Sequence, residues 1–557
     1  MTEREARVAG SAMWSAWADA VGFISELTND AGLKRRTAGS TDWPDTMAWN
    51  RRVGGKFGVN MRLPRGTYSD DTQLRLATGR AISSAHFDVD AFARVEMTIW
   101  PSYALGGGRA SKAAAANLAR PTTRWFTNFY EGYFEAGGNG AAMRIQPHIW
   151  ALGPGNSPEQ GLHDVLRNAV TTHGHPRALV GAVLHAVFLD FALGTGCAPE
   201  PVEFSTLLKL TEIAGDLFHE DPDLQQIWVP AWEQHSKESF KAAWIRAIDE
   251  CRDAFAVAAP FVTKLREASE LPAQLREYKA LTKALDLHSD KSRGSGTLTV
   301  VAAAILAASF PRDPRTAALI AVQDLGTDTD TIATMAAAIS GTGADTLPEP
   351  DSVQDASYIL GEARRLCALA EGTSEVGFRY PDLLRWNAPR SQLDAVLQDD
   401  RGLLLSGLGR IEPIEPGNSA RVKNQIWQWT ESEFGPTFLV KHRDSPKAPY
   451  PSNRSVNKTL TKPTSPPLES DSGAAADPNK IDRSPESKRE ATSLYGADRV
   501  SEMYEWVAKG GFDARRIAYA MQKLASITSE SEYASFALRL RRALLESFDI
   551  DREEPEF

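Results

Sequence analysis

Cysteine is almost missing from this chain: there are three in 557 residues, Cys197, Cys251 and Cys367. They are odd in number, far apart and without metal-ligand spacing. That excludes a disulfide framework and a thiolate metal site, and it points to reduced core residues of a cytoplasmic protein. A basic excess is missing too. Lys and Arg number 62 against 72 Asp and Glu, a formal net charge of −10, so the chain as a whole is no nucleic-acid coat. No apolar run approaches the length of a bilayer span, and no membrane association is expected. The opening MTEREARVAGSAMWSAWADAVGF carries charge early and Asp19 inside its apolar part, unlike a signal peptide.

What is there is ample apolar material, 42% of residues, with room for two to four domains. Segments such as ALVGAVLHAVFLDFAL and TLTVVAAAILAASF are rich in Ala, Leu and Val, and nothing up to residue 345 reads as βαβ units. Many alanines permit close helix packing, so residues 10–345 are expected to form an all-α orthogonal bundle. Residues 200–290, richer in charge and Trp, read as outer helices or a lid. A helical extension and a small β module are expected over 346–443, the strands lying in GLLLSGLGRIEPIEP and NQIWQWTESEFGPTFLVKHR. Residues 444–490 have the Ser, Pro, Lys and Asp content of a disordered linker. Helical periodicity returns over 491–557. Val500, Met503, Tyr504 and Val507 share one face, and Tyr533, Phe536, Leu540 and Leu544 another, in a tail suited to a protein partner or self-association.

Two stretches concentrate oxygen. GTYSDDTQLRLATGRAI places Ser69, Asp70, Asp71 and Thr72 at the mouth of a predicted helix, and AVQDLGTDTDTIATMAAAISGTGAD does the same with Asp328, Asp330 and Thr331. A helix cap needs only one such residue, and neighbouring carboxylates repel unless a positive charge lies between them. Ser69, Asp70, Asp71, Asp328, Asp330 and Thr331 form an oxygen-only donor set, which selects Mg²⁺, Mn²⁺ or Ca²⁺ over zinc or copper. Four carboxylates exceed the need of one Mg²⁺, so a pair of ions is the economical reading. An EF-hand starting at Asp328 fails, because Ala333 and Ile339 stand where Gly and Glu are required. A DxDxT phosphatase fails as well, since QDLGT is no apolar strand.

SDDT and GTDTDTIA resemble the two signatures of the ADP-ribosylglycohydrolase family, the dinitrogenase-reductase-activating type of ADP-ribosyl hydrolase. Three further stretches agree in order and spacing. ADAVGFISE (Ala18 to Glu26) resembles the family's opening helix, with Ala18 in place of the usual Gly. GGNGAAMRIQPHIWA (Gly137 to Ala151) resembles its GNGxxMR loop, and TTHGHPRALVGAVLHA (Thr171 to Ala186) its Thr-His helix start. The resemblance covers about residues 10–345.

It implies an all-α fold of that type and hydrolysis of the glycosidic bond at C1″ of ADP-ribose in an ADP-ribosylated protein or small molecule. It also implies that the same six residues hold two Mg²⁺ ions, with Mn²⁺ as substitute. Such ions lower the pKa of a bound water. Asp70, Asp71 and Asp330 are the catalytic candidates, and either Asp330 or Asp70 could take the water's proton. For the diphosphate and ribose, glycine-rich turns at helix starts offer N–H groups: Gly106, Gly107 and Gly108, with Arg109 and Lys112 nearby, and Gly138, Asn139 and Gly140. His173 matches the family's ligand-facing histidine, while Met143 and Arg144 support the loop and His175 and His185 read as structural. No aromatic can be singled out for the adenine.

A basic segment lies between the opening helix and SDDT, with Lys34, Arg35, Arg36, Arg51, Arg52, Lys56, Arg62 and Arg65. It reads as a solvated loop balancing nearby acids; the alternative is a site for a phosphate-rich substrate such as ADP-ribosylated nucleic acid. The competing function is a catalytically silent ADP-ribose or nucleotide sensor whose tail engages a partner. Intact carboxylates favour the enzyme.

Overall fold

Small and large apolar residues alternate so evenly near the N-terminus that helix Glu3–Gly22 is buried on every side from Val8 onward. Its free end is capped by Thr2, which accepts the Glu5 N–H, and Glu3 and Glu5 suit the positive helix terminus. The computed structural model describes residues 2–40, 43–55, 58–83, 86–153, 158–374, 377–414, 419–449, 503–509 and 514–525, with Phe536 and Leu540. Helix Glu3–Gly22 runs antiparallel to Thr329–Ser340, itself wholly buried. Two glycines let the pair touch. A Cβ on Gly10 would stand 2.2 Å from the Gly341 carbonyl oxygen, and one on Gly22 would stand 2.5 Å from the Asp330 Cα. Helices Leu298–Ser309, Pro314–Val322 and Ala356–Ala370 pack around this pair.

Helix Pro176–Thr195 corrects one expectation. Its 20 residues have a mean hydropathy of 1.8, which is long and apolar enough to cross a bilayer. An 18-residue window of it is 78% buried inside the protein, the pattern of a core helix enclosed on all faces. Residues 200–290 form helices with one buried face each, as expected of an outer layer. In Phe240–Ala258, for example, Phe240, Trp244, Ile248, Cys251 and Phe255 point inward.

The basic segment holds a hairpin where a loop was expected. Strands β1 (Trp49–Val53) and β2 (Val59–Leu63) pair antiparallel, Trp49 opposite Leu63 and Val53 opposite Val59. Trp49, Val53, Val59, Met61 and Leu63 face the core while Asn50, Arg52, Asn60 and Arg62 face out. That is the period-two pattern of a half-buried strand. Lys56 lies outside the described residues.

The expected β module is present: β3 (Val396–Asp399), β4 (Gly402–Leu405), β5 (Gly409–Pro413), β6 (Ser419–Val422), β7 (Gln425–Ser432) and β8 (Thr437–Arg443) form one antiparallel sheet. The order is β3-β4-β5-β7-β6, with β8 on the other edge of β7. The sheet belongs to the same body as the helices, residues 1–464. Trp386 donates its indole N–H to the Arg94 carbonyl at 2.7 Å, and the Tyr103 and Phe438 rings meet at 4.5 Å between centroids. Tyr380 donates to Glu96, which is buried in a bidentate pair with Arg80 (2.8 and 2.9 Å). The body continues past residue 444, where Lys447 pairs with Asp394 and accepts the Gln398 N–H. The rest of the expected linker lies outside the described residues. In the second unit, residues 503–509 and helix Ala514–Ala525 surround a small apolar cluster of Val507, Ala520, Leu524, Phe536 and Leu540. Val500, Tyr533 and Leu544 are outside the described residues.

Asp355 joins module, extension and helical core. It sits in the left-handed region at φ 58° and accepts the Tyr68 hydroxyl (2.7 Å), the Thr437 N–H (3.0 Å) and the Thr437 hydroxyl (2.8 Å). Burial pushes its carboxyl up to about 6 from 3.8. The folded protein therefore keeps this proton where the unfolded chain releases it. Stability from this group is full below about pH 4 and lost as pH rises through about 6. Asn tolerates the same φ, so Asp355→Asn removes the titration without straining the backbone. The stability advantage of wild type over this variant should shrink by about 2 kcal/mol between about pH 4.5 and about pH 7.5. Urea unfolding at the two pH values measures it, and a gap independent of pH would show that the carboxyl is not held in this environment.

Candidate active site

The first oxygen-rich turn is held from behind. Asp19, fully buried on the opening helix, accepts the backbone N–H of Ser69 at 2.9 Å through Oδ1 and that of Thr72 at 2.8 Å through Oδ2. Ser69 is the cap: its hydroxyl accepts the Asp71 N–H at 3.1 Å. It does not line the cleft, because its oxygen is turned to the helix end. With both capping tasks met by Asp19 and Ser69, Asp70 and Asp71 are left to face the cleft at the start of helix Asp70–Arg80.

The second turn meets the first. Asp328 opens helix Thr329–Ser340 without capping it, and its Oδ2 accepts the Asn139 amide at 2.9 Å. Asp330 accepts the Thr331 N–H, and the Thr331 hydroxyl donates to Asp71 Oδ1 at 3.3 Å, tying the two signatures together. Thr329 turns away and donates to the Gly22 carbonyl. Asp70, Asp71, Asp328, Asp330 and Thr331 all line one cleft of about 820 Å³.

The glycine loops form the walls of this cleft. Gly138, Asn139 and Gly140 line it, with the Asn139 N–H bonded to the Gly294 carbonyl at 2.9 Å. Buried Arg144 braces the loop from below, donating to the carbonyl of Gly140 and to Asn168 and Thr172. Met143, read as loop support, lines the cleft instead. His173 lies under Gly140, where a Cβ would stand 3.1 Å from its Cε1. Its Nδ1 is 2.7 Å from the Thr172 hydroxyl, and burial beside Arg144 pushes it down to about 3, so the ring is neutral. His175, expected to be structural, also lines the cleft and caps helix Pro176–Thr195. Gly107 and Gly108 line the cleft at the start of helix Arg109–Leu118, as does Arg109. Gly106 does not; at φ 117° it makes room for Asp70, whose Oδ1 would be 2.4 Å from any Cβ there.

Two acidic residues that act on the Asp70 carboxylate carried no assigned role in the sequence reading. Asp19 is one. The other is Glu26, which lines the cleft and pairs with Arg51 at 2.9 Å. Both stand in the ADAVGFISE stretch, but no local pattern shows where their carboxylates point. Lys291, Arg293 and Ser295 also reach the cleft, and only the glycines of SRGSG hint at that loop.

The electrostatics are those of crowded, buried acids. Burial, then Glu26 and Asp19, push Asp70 up to about 7. Burial and mutual repulsion raise Asp71 and Asp330 well above the usual carboxylate range, and Asp328 is raised mainly by burial. Asp71 Oδ2 is buried with no hydrogen-bond partner. Among the described residues no three acidic, imidazole or thiol groups form a ready coordination cage. What the cluster offers a cation is hard oxygen donors, an unpartnered buried carboxylate oxygen, and repulsion that positive charge would relieve.

Removing Asp19 should loosen the turn. Asp19→Ala leaves two buried N–H groups without an acceptor, so a loss of about 2–4 kcal/mol in unfolding free energy is expected, reduced somewhat by the relief of charge repulsion. A variant as stable as wild type in urea would show that these two bonds do not hold SDDT in place.

The family model of the ADP-ribosylglycohydrolases matches residues 1–376, beyond the expected boundary at 345 and including helix Ala356–Ala370. Among solved structures, one described as an ADP-ribosylglycohydrolase-related protein complex matches at 19% identity and a TM-score of 0.41, covering 66% of this chain and all of that one. No curated protein matches the sequence. The chain belongs to the ADP-ribosylglycohydrolase family, hydrolases of ADP-ribose-linked substrates.

Proposed function

We propose that this protein is a metal-dependent ADP-ribosyl hydrolase that cuts the glycosidic bond at C1″ of ADP-ribose. The observation that carries the reading is the meeting of Asp70 and Asp71 with Asp328, Asp330 and Thr331 in one cleft, beside Gly138, Asn139, Gly140 and His173. Members of the family are generally metal-dependent. The donors here suit one or two Mg²⁺ or Mn²⁺ ions, which would supply charge for the ribose hydroxyls and a more acidic water.

The chain's own groups do the rest. The Gly108 N–H lies at the positive end of helix Arg109–Leu118, a place for diphosphate oxygens. Tyr130 is the one ring besides the histidines among the described residues lining the cleft, and it is the candidate face for the adenine. Asn139 fixes the Asp328 carboxylate, and neutral His173 can exchange a hydrogen bond with a ligand hydroxyl without adding charge. Water adds its oxygen to C1″ as the bond to the leaving nitrogen or oxygen breaks. A carboxylate, Asp70 or Asp330, takes the water's proton, and the leaving group departs protonated.

Exhaustive chelation with EDTA should abolish hydrolysis of ADP-ribosylated substrates, and added Mg²⁺ or Mn²⁺ should restore it. Full turnover after chelation would end the metal-dependent reading. Asp71→Asn keeps the size of the side chain and removes one charge. Turnover should fall on the order of a hundredfold or more, while the metal-free melting temperature stays level or rises as repulsion is relieved. Near-normal turnover by this variant would return SDDT to an ordinary helix start. ADP-ribose binding by wild type without turnover of any ADP-ribosylated compound would identify a sensor.

A further inference from the structure

A second groove, about 750 Å³, adjoins the carboxylate cleft, and the two share Glu26, Leu27 and Gly107. One wall comes from the family-matched part of the chain, β1 and helix Arg109–Leu118. The other comes from residues past 376: the 389–392 turn with Trp427, Leu439 and Lys441 of the β module. Five cations line the groove, Arg51, Arg52, Lys112, Arg390 and Lys441, against a single carboxylate, Glu26, which is paired with Arg51. In a chain of net charge −10 this is a local reversal of sign. Such a reversal raises the concentration of anions at that spot.

Resting on the hydrolase reading above, we propose that this groove receives the leaving-group side of the substrate and selects an acidic polypeptide segment flanking the modified side chain. The junction at Gly107 lies beside Asp70, whose carboxylate is eased by the Gly107 N–H. Atoms attached beyond the bond under attack therefore have the groove within reach. Peptide fits better than nucleic acid. Unspecific strand binding relies on exposed ring faces, and the rings here are covered: Trp427 is 4% and Tyr103 1% exposed. Lys441 lies over the Trp427 ring at 4.9 Å. Ala115, Ala116 and Ala119 give the groove an apolar side, which suits a polypeptide backbone between its acidic side chains. A longer phosphate chain would run on over a protein of net negative charge.

The test is fluorescence anisotropy at low salt with three fluorescein-labelled probes of equal length: a Glu-rich peptide, its Gln counterpart, and single-stranded DNA of the same charge as the Glu peptide. Wild type should bind the Glu peptide about tenfold tighter than the Gln peptide, and Arg390→Glu, alone or with Lys441→Gln, should abolish that preference. Neither residue lines the carboxylate cleft, and Arg390 is exposed, so turnover of a small ADP-ribosylated compound should stay within about twofold of wild type. Equal binding of the two peptides, an unchanged preference in Arg390→Glu, or tighter binding of the DNA overturns the proposal. The binding arm needs no turnover. Peptide selection by a chain that hydrolyses nothing would refute the hydrolase and keep the groove, and hydrolysis without selection would refute the groove alone.

Discussion

Everything in the cleft depends on confining like charges in a buried space. Burial and the acids around them, Asp19 and Glu26 among these, raise the affinity of Asp70, Asp71, Asp328 and Asp330 for protons, and a chain left free would separate them. Their positions are over-determined by the backbone. Asp19 grips two N–H groups of the SDDT turn, and the opening helix that carries it is locked against Thr329–Ser340 by glycine contacts at both ends. The Thr331–Asp71 bond closes the circuit. Repulsion of this kind is tolerated only where the surrounding structure cannot relax, and it clusters at sites that do chemistry.

Much of the cleft's lining was legible because its oxygen donors stand in short, dense motifs. Oxygen donors crowded at two helix starts could be recognised without knowing the fold, and both starts do meet. The glycine loop and His173 were legible through the family resemblance, and they line the same cleft. Asp19 and Glu26 were not assigned, since an acid on an apolar helix declares neither its direction nor its partner. Asp19 finds its acceptor role fifty residues downstream. Ser69 and Gly106 show the reverse case. Their residue types fit metal and phosphate binding, yet one is occupied as a cap and the other clears space for Asp70.

The helical body was legible from Ala-rich periodicity and the β module from strand-like runs. The β1–β2 hairpin was hidden by its charges. Arginines on its outward positions made a half-buried ribbon look like a solvated loop, although VNMRL alternates with a period of two. Helix Pro176–Thr195 was legible as an Ala-, Leu- and Val-rich segment but not as one of bilayer length, because a helix without a polar face carries no periodic signal to mark its ends.

Asp355 has a consequence for motion as well as for stability. Its carboxylate connects Thr437 on the sheet to Tyr68, and Tyr68 immediately precedes Ser69. Backbone contact is made one residue earlier, where the Gln354 N–H meets the Gly66 carbonyl. These bonds couple the sheet to the SDDT turn in local unfolding. Amide protons of β8 and those of the SDDT turn should share an exchange regime. A lesion in the sheet, far along the chain from either carboxylate motif, would then loosen the SDDT turn through Asp355 and Tyr68.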